Sequence, residues 1–305
     1  MIELPPKKDP NRCLGSFVGL AVGDAVGAPL EFSPRGTFEP IEDMIEGGYF
    51  TLKTGEWTDD TAMALCLADS LLHMNGFDAK DQMEHYSRWF LNGEFSCRDR
   101  AFGMGQTFMN SIIKYHMTGD PFSGASSPQR PGNGCIMRLA PIPIFFYPDH
   151  ENIIRYSGES SRVTHGMPES IFASRLFGEI LALALAGKSK EEILFSSQID
   201  SPDCPEIISA ISRGTYRLKN ESDIESTFFA GKCLEAALWC FLNTDNFRDA
   251  ILKAANLGGD ADSTAAVCGQ VAGAFYGIDS IPQSWQDALA KKELIFSMAR
   301  RLTEH

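Results

Sequence analysis

Glycine recurs at every fourth position through "CLGSFVGLAVGDAVGAPLEF", at Gly15, Gly19, Gly23 and Gly27. On an α-helix this spacing lays the four along one face as a stripe without side chains. Each interior glycine costs a helix about 1 kcal/mol relative to alanine, so four of them call for compensation. Close approach of another backbone supplies it. The stretch therefore predicts a helix packed tightly against a second one, and that packing would also fix the following "GAPLEF" and with it Glu31. Lys7, Lys8 and Arg12 give the segment the outline of a signal peptide. Asp24 interrupts it, however, and it reads as too short and too polar for a membrane span. A cytoplasmic protein without a membrane anchor is expected.

Helical periodicity continues along the chain. Apolar residues recur at steps of three and four through 60–75, 169–187, 229–243, 262–277 and 285–302. "SIFASRLFGEILALALAG" is an example, with Gly187 as its stop. Alternating strand patterns are few, and "PIPIFFYP" carries too many prolines for a central strand. The fold class predicted is all-α. With 44% hydrophobic residues the chain can bury a large core. No linker or internal repeat divides it, so a single domain over 1–305, with its core at about 12–303, is expected. The longest polar loop is 118–134, "TGDPFSGASSPQRPGNG".

The eight cysteines show no CxxC and sit mostly among apolar neighbours, as small buried hydrophobes in a reducing compartment. A cysteine-based zinc site is not expected. A net charge of −13 provides no basic stripe for nucleic acid and opposes approach to anionic membranes.

Two acidic clusters stand where buried helices begin. "GEWTDDTAMALCLADSLL" presents Asp59 and Asp60 beside Thr58, and "NLGGDADSTAAVCGQVAGAFYG" presents Asp260 and Asp262 before Ser263 and Thr264. Threonine and aspartate at such points cap helices, and acids in a first turn suit the helix dipole. Two separately capped helices are thus one reading. The other is a joint site. Four carboxylates with hydroxyls, and neither histidine nor thiolate, form an all-oxygen donor set for hard cations such as Mg²⁺ or Mn²⁺. Four carboxylates exceed what one hydrated Mg²⁺ needs and match two metals about 3.5–4 Å apart. EF-hand spacing is absent.

"GLAVGDAVGAPLEF", "WTDDTAMAL", "PGNGCIMRLAP", "VTHGMPES" and "LGGDADSTAAVCGQVAGAFYG", in this order from about Arg12 to Gly277, together resemble the ADP-ribosylglycohydrolase family. The resemblance implies a single compact, orthogonal helical domain with a dinuclear Mg²⁺ or Mn²⁺ centre in a cleft. By motif, Thr58, Asp59 and Asp60 match one half of the metal shell, and Asp260, Asp262 and Ser263 the other. Glu31 matches the family's mobile glutamate, the candidate for proton transfer. The implied reaction is hydrolysis of the bond between C1 of the distal ribose of ADP-ribose and an acceptor, through an oxocarbenium-like state.

Substrate-binding candidates follow the same motifs. Gly103 and Gly105 in "RAFGMGQTF" precede a helical run whose free N–H groups suit a pyrophosphate; Asp99 lies nearby. Asn133 and Gly134 resemble the loop on the adenosine side of the cleft, and His165 resembles the family histidine near the distal ribose. Arg138 is expected to pair with a buried acid. Phe102, Phe145 and Phe146 could stack on adenine but suit the core better, and His73, His85 and His116 lack metal spacing.

The expected substrate is a protein carrying arginine-linked ADP-ribose, with ADP-ribose as product. Serine-linked ADP-ribose, a free ester and ADP-ribosylated nucleic acid are alternatives, the last disfavoured by charge. Two more distant readings are a non-catalytic ADP-ribose-binding protein and a two-metal phosphatase.

Overall fold

Asp9 accepts a hydrogen bond from the backbone N–H of Asn11 at 2.9 Å, and Pro10 takes the first helical position, so the chain enters a helix at once. This is α1 (Pro10–Gly27) of a computed structural model that describes residues 4–125, 131–197 and 201–305. Next come α2 (Asp59–Met74), α3 (Ala79–Asn92), α4 (Gln106–Thr118), α5 (Pro141–Phe146), α6 (His150–Arg162) and α7 (Pro168–Leu185). The remainder are α8 (Lys190–Phe195), α9 (Glu206–Ser212), α10 (Ala230–Leu242), α11 (Phe247–Ala255), α12 (Ala261–Tyr276), α13 (Gln283–Ala288) and α14 (Lys292–Glu304). Among the described residues there is no strand, only isolated bridges such as Gly47–Leu52. The fold is a single compact all-α domain.

Helices α1 and α12 form its spine. A Cβ built on Gly15 would lie 2.2 Å from the carbonyl oxygen of Gly273, on Gly19 2.3 Å from that of Gly269, on Gly23 2.1 Å from that of Ala265, and on Gly27 2.3 Å from that of Ala261. As one number rises by four the other falls by four, so the helices run antiparallel with their backbones in contact over four turns. The glycine stripe thus meets a second helix, as its spacing predicts. Because the pair is antiparallel, the C-terminal end of α1 lies beside the N-terminal end of α12. Glu31, just past α1, is thereby brought to Asp260 and Asp262, more than two hundred residues away in the chain.

The predicted helices at 60–75, 169–187, 229–243 and 262–277 correspond to α2, α7, α10 and α12. Gly187 follows α7 with φ of +73°, the left-handed stop expected of it. The region 285–302 is not one helix. It breaks into α13 and α14 at Leu289–Lys291, where Lys291 itself takes φ of +51°. The proline-rich "PIPIFFYP" is helical at Pro141–Phe146, with Pro141 at the first position. Residues 126–130 of the long 118–134 loop lie outside the described residues.

By length and apolar composition alone Pro10–Leu30 could cross a membrane, contrary to the expectation of too short and too polar. What occupies its surface here is protein: 94% of its apolar 18-residue window is buried within the domain.

Candidate active site

The two acidic loops and the α1 terminus converge on a cleft of about 510 Å³. Glu31, Asp59, Asp60, Gly103, Gly105, Asn133, Gly134, His165, Asp260, Asp262 and Ser263 all line it. Thr58 is the one predicted site residue that does not. Carboxylate oxygens of Glu31, Asp260 and Asp262 lie within 4.8 Å of one another. Ser263 bridges to the other cluster, its hydroxyl donating to Asp60 Oδ1 at 3.4 Å.

Local backbone shapes this meeting. Gly258 and Gly259 both adopt left-handed angles, φ +67° and +66°, so the turn delivers Asp260 at the cap of α12 and Asp262 inside its first turn. Gly103, at φ +88°, sits so close to the α2 acids that a Cβ there would fall 2.4 Å from Asp59 Oδ1.

The capping of α2 differs from the sequence expectation. Thr58 occupies the cap position without a side-chain capping bond, and the cap comes instead from Asp24 on α1. Its buried carboxylate accepts from the N–H of Thr58 at 3.0 Å and of Thr61 at 3.0 Å, and from their hydroxyls at 2.9 and 2.7 Å. A distant helix therefore supplies what a local residue usually does, leaving Asp59 and Asp60 free to face the cleft. Sequence reasoning missed Asp24. Its only visible signal is a charged residue interrupting an apolar glycine helix.

Five carboxylates share this cleft, and among the described residues none of them forms a salt bridge. Burial, reinforced by Asp262, Asp260 and Asp59, pushes the Glu31 carboxyl up to about 12. Burial and neighbouring carboxylates raise Asp59, Asp60 and Asp260 well above the usual range. Burial also raises Asp262, against the pull of the Ser263 N–H, and brings Asp24 to about 7. Two buried oxygens, Glu31 Oε2 and Asp60 Oδ2, have no hydrogen-bond partner among the described residues. An orphaned, all-oxygen, anionic cluster of this kind fits hard divalent cations.

The cleft lining also carries neutral donors. Asn133 donates through its amide to Asp260. The buried imidazole of His165 lies against Gly132 and Gly134, where a Cβ would approach its ring to 3.0 and 2.7 Å. Burial, then the charge of Arg138, lowers His165 to about 3, so it is neutral. Arg138 donates to Thr164 Oγ1 at 2.8 Å, and that oxygen lies 2.8 Å from His165 Nδ1. The threonine proton can then go to Nδ1, the tautomer that leaves an Nε2–H. Among the described residues Arg138 pairs with no acid, contrary to expectation. It sits over the ring of Tyr86 at 4.6 Å and also bonds the carbonyl of Ser160. Gly105 caps α4 without a side-chain bond, so among the described residues no capping side chain takes the N–H groups of its first turn.

The remaining candidates lie elsewhere. Asp99 is exposed and outside the cleft lining. Phe145 stacks on His305 and Phe146 on Tyr156, both away from the cleft. Phe102 packs against Phe50. His85 bridges Asp69 and Asp81, His73 reaches Asp81, and His116 reaches Ser87, so the three hold helices together.

Comparison with known proteins gives a consistent result. The sequence model of the family described as ADP-ribosylglycohydrolase matches residues 5–305. The chain is 41% identical over 299 residues to the ADP-ribosylarginine hydrolase Tri1 of Serratia proteamaculans (strain 568), covering 98% of this chain and 81% of that protein. It is 29% identical over 290 residues to the ADP-ribosyl-[dinitrogen reductase] glycohydrolase of Rhodospirillum rubrum, covering 92% and 91%. A solved structure described as an ADP-ribosylglycohydrolase-related protein complex superposes with a TM-score of 0.86 at 38% identity, covering 97% of this chain and 98% of that one.

Proposed function

The chain belongs to the ADP-ribosylglycohydrolase family and is a hydrolase of glycosyl bonds; from that premise we propose that its substrate is a protein bearing ADP-ribose on arginine. The observation that carries the reading is the buried meeting of Glu31 with Asp260 and Asp262, opposite Asp59 and Asp60 in one cleft. The relative named as an ADP-ribosylarginine hydrolase supports the linkage.

In this reading Asp59, Asp60, Asp260 and Asp262, with oxygens of Thr58 and Ser263, hold two divalent cations, Mg²⁺ or Mn²⁺. Such ions supply Lewis-acid orientation of the ribose hydroxyls and a bound water of lowered pKa. Glu31 moves the proton. Ionised where the cations would offset the neighbouring acids, its carboxylate takes one from the attacking water as the bond from ribose C1 to the guanidinium nitrogen breaks. The nitrogen keeps the electron pair and, as it leaves, receives from Glu31 the proton taken from water, while the carboxylates offset the positive charge developing on the sugar. His165, neutral and fixed by Thr164, donates from Nε2 to the distal ribose or its phosphate. The N–H groups at the start of α4, opened by Gly103 and Gly105, bind the pyrophosphate, while Asn133 and Gly134 line the adenosine side. We place the protein in the cytoplasm, acting on modified protein rather than nucleic acid or membrane, in keeping with its −13 charge.

The test is release of ADP-ribose from peptides carrying arginine- or serine-linked ADP-ribose. Release from the arginine peptide, lost with EDTA and in both Asp60→Ala and Asp262→Ala, is the expected result. Release from the serine peptide alone refutes the linkage. Release of inorganic phosphate without ADP-ribose refutes the reaction.

A further inference from the structure

Glu31 and Phe32 are consecutive residues that face opposite ways. Glu31 is buried among the acids, whereas Phe32 is 47% exposed at the cleft mouth. Phe32 adopts φ of +64°, a left-handed conformation that costs a bulky residue about 1–3 kcal/mol. Two backbone bonds hold it there. The Phe32 N–H donates to the carbonyl of Gly259 at 2.8 Å, and the Gly259 N–H donates to that of Ser33 at 2.8 Å. This pinning to the Asp260 loop turns the acid inward and the ring outward.

The ring stands in an aromatic run. Tyr49, 73% exposed, meets it edge-on at 5.0 Å, and Phe228, 51% exposed, lies 5.9 Å away and also lines the cleft. Phe50 packs behind at 6.3 Å and leads to Phe102 at 5.4 Å. The outer end of the run already carries a guanidinium, that of Arg98, 4.8 Å over Phe102. Planar and weakly hydrated, a guanidinium stacks readily on aromatic faces. The negative charge of the chain favours a cationic ligand. Adenine is a poor candidate for this position, because it lies at the far end of ADP-ribose from the carbon on which Glu31 acts. The group that meets the neighbour of Glu31 is the one attached to that carbon.

Resting on the proposed arginine linkage, the geometry points to the Phe32 ring, backed by Tyr49 and faced by Phe228, as the subsite that receives the guanidinium of the acceptor arginine. Phe32→Leu keeps apolar bulk and removes the π face, while Phe32→Trp keeps the face. The experiment is steady-state hydrolysis of free ADP-ribosylarginine and of an ADP-ribosylated arginine peptide by the Mg²⁺-loaded full chain. ADP-ribose affinity is measured by calorimetry on the same preparations, which also reports that each variant is folded.

Phe32→Leu is expected to raise KM for both substrates roughly two- to thirty-fold, the range of a cation–π contact, with a smaller effect on kcat. Phe32→Trp is expected to recover most of the KM that Phe32→Leu loses, and ADP-ribose affinity is unchanged in both. An unchanged KM in Phe32→Leu overturns the assignment. So does a parallel loss of ADP-ribose affinity, which would give the ring to the nucleotide. A loss confined to the peptide would give it to the polypeptide chain. If the parent protein releases no ADP-ribose from ADP-ribosylarginine, the linkage itself falls and the subsite with it, a failure visible before any variant is made.

Discussion

Gly23→Ala is the sharpest perturbation of the spine that assembles the cleft. The added Cβ would lie 2.1 Å from the carbonyl oxygen of Ala265, whereas real Cβ atoms essentially never come within 3.0 Å of a neighbour. The atoms in the way are backbone on both sides, so the helices must part by about 0.9 Å. A gap of 0.5–1 Å forfeits roughly a quarter to a half of the dispersion attraction at each affected contact. Overpacking costs typically about 1–3 kcal/mol, and rigid backbone on both faces argues for the upper end, about 3. Alanine returns about 1 kcal/mol of helix propensity. The net expectation is a loss of about 2 kcal/mol, or roughly 3 °C in Tm for a chain of this size. Urea unfolding followed by circular dichroism and tryptophan fluorescence, with a thermal melt alongside, reads this directly. A variant as stable as the parent, or more so, would show that α1 and α12 are not in backbone contact, and the convergence of Glu31 with Asp260 and Asp262 would lose its cause.

Other outcomes follow from the site. Asp24→Asn leaves a buried N–H or hydroxyl at the α2 terminus facing an amide N–H₂, at a cost of about 1–3 kcal/mol. Weaker Mn²⁺ binding in calorimetry is expected with it, and unchanged stability and affinity would remove Asp24 as the cap. Glu31→Gln is expected to lower kcat by about 10²- to 10⁴-fold while metal-dependent ADP-ribose binding persists; near-parental turnover would exclude Glu31 from proton transfer. In the metal-free protein the cleft carboxyls sit above their unfolded values. Their contribution to stability is therefore fully present below about pH 4 and is lost as pH rises, past about 7 for Asp24 and up to about 12 for Glu31. Melting in EDTA should fall from pH 5 to pH 8, with Mg²⁺ restoring stability at pH 8; a rise over that interval would contradict the clustering.

Much of this was readable in the chain itself. The four glycines announced a backbone contact because only a missing side chain permits one, and the two acidic helix starts were visible because their chemistry is local. What stayed hidden depends on residues far apart in sequence. Asp24 looks like an interruption until α2 is placed beside it. Phe32 looks like one more apolar residue until its left-handed turn points it outward. The break before α14 falls at Lys291, a residue with no turn-forming signature, so apolar periodicity runs through it unmarked.

The antiparallel spine also sets the order in which the protein can come into being. On a ribosome α12 is made about 230 residues after α1, a wait of roughly 10–50 s at ordinary elongation rates. Throughout that time the bare glycine face and its apolar flanks have no partner, and they belong to the one described segment long and apolar enough to pass for a membrane span. The acidic cleft cannot assemble until α12 has emerged.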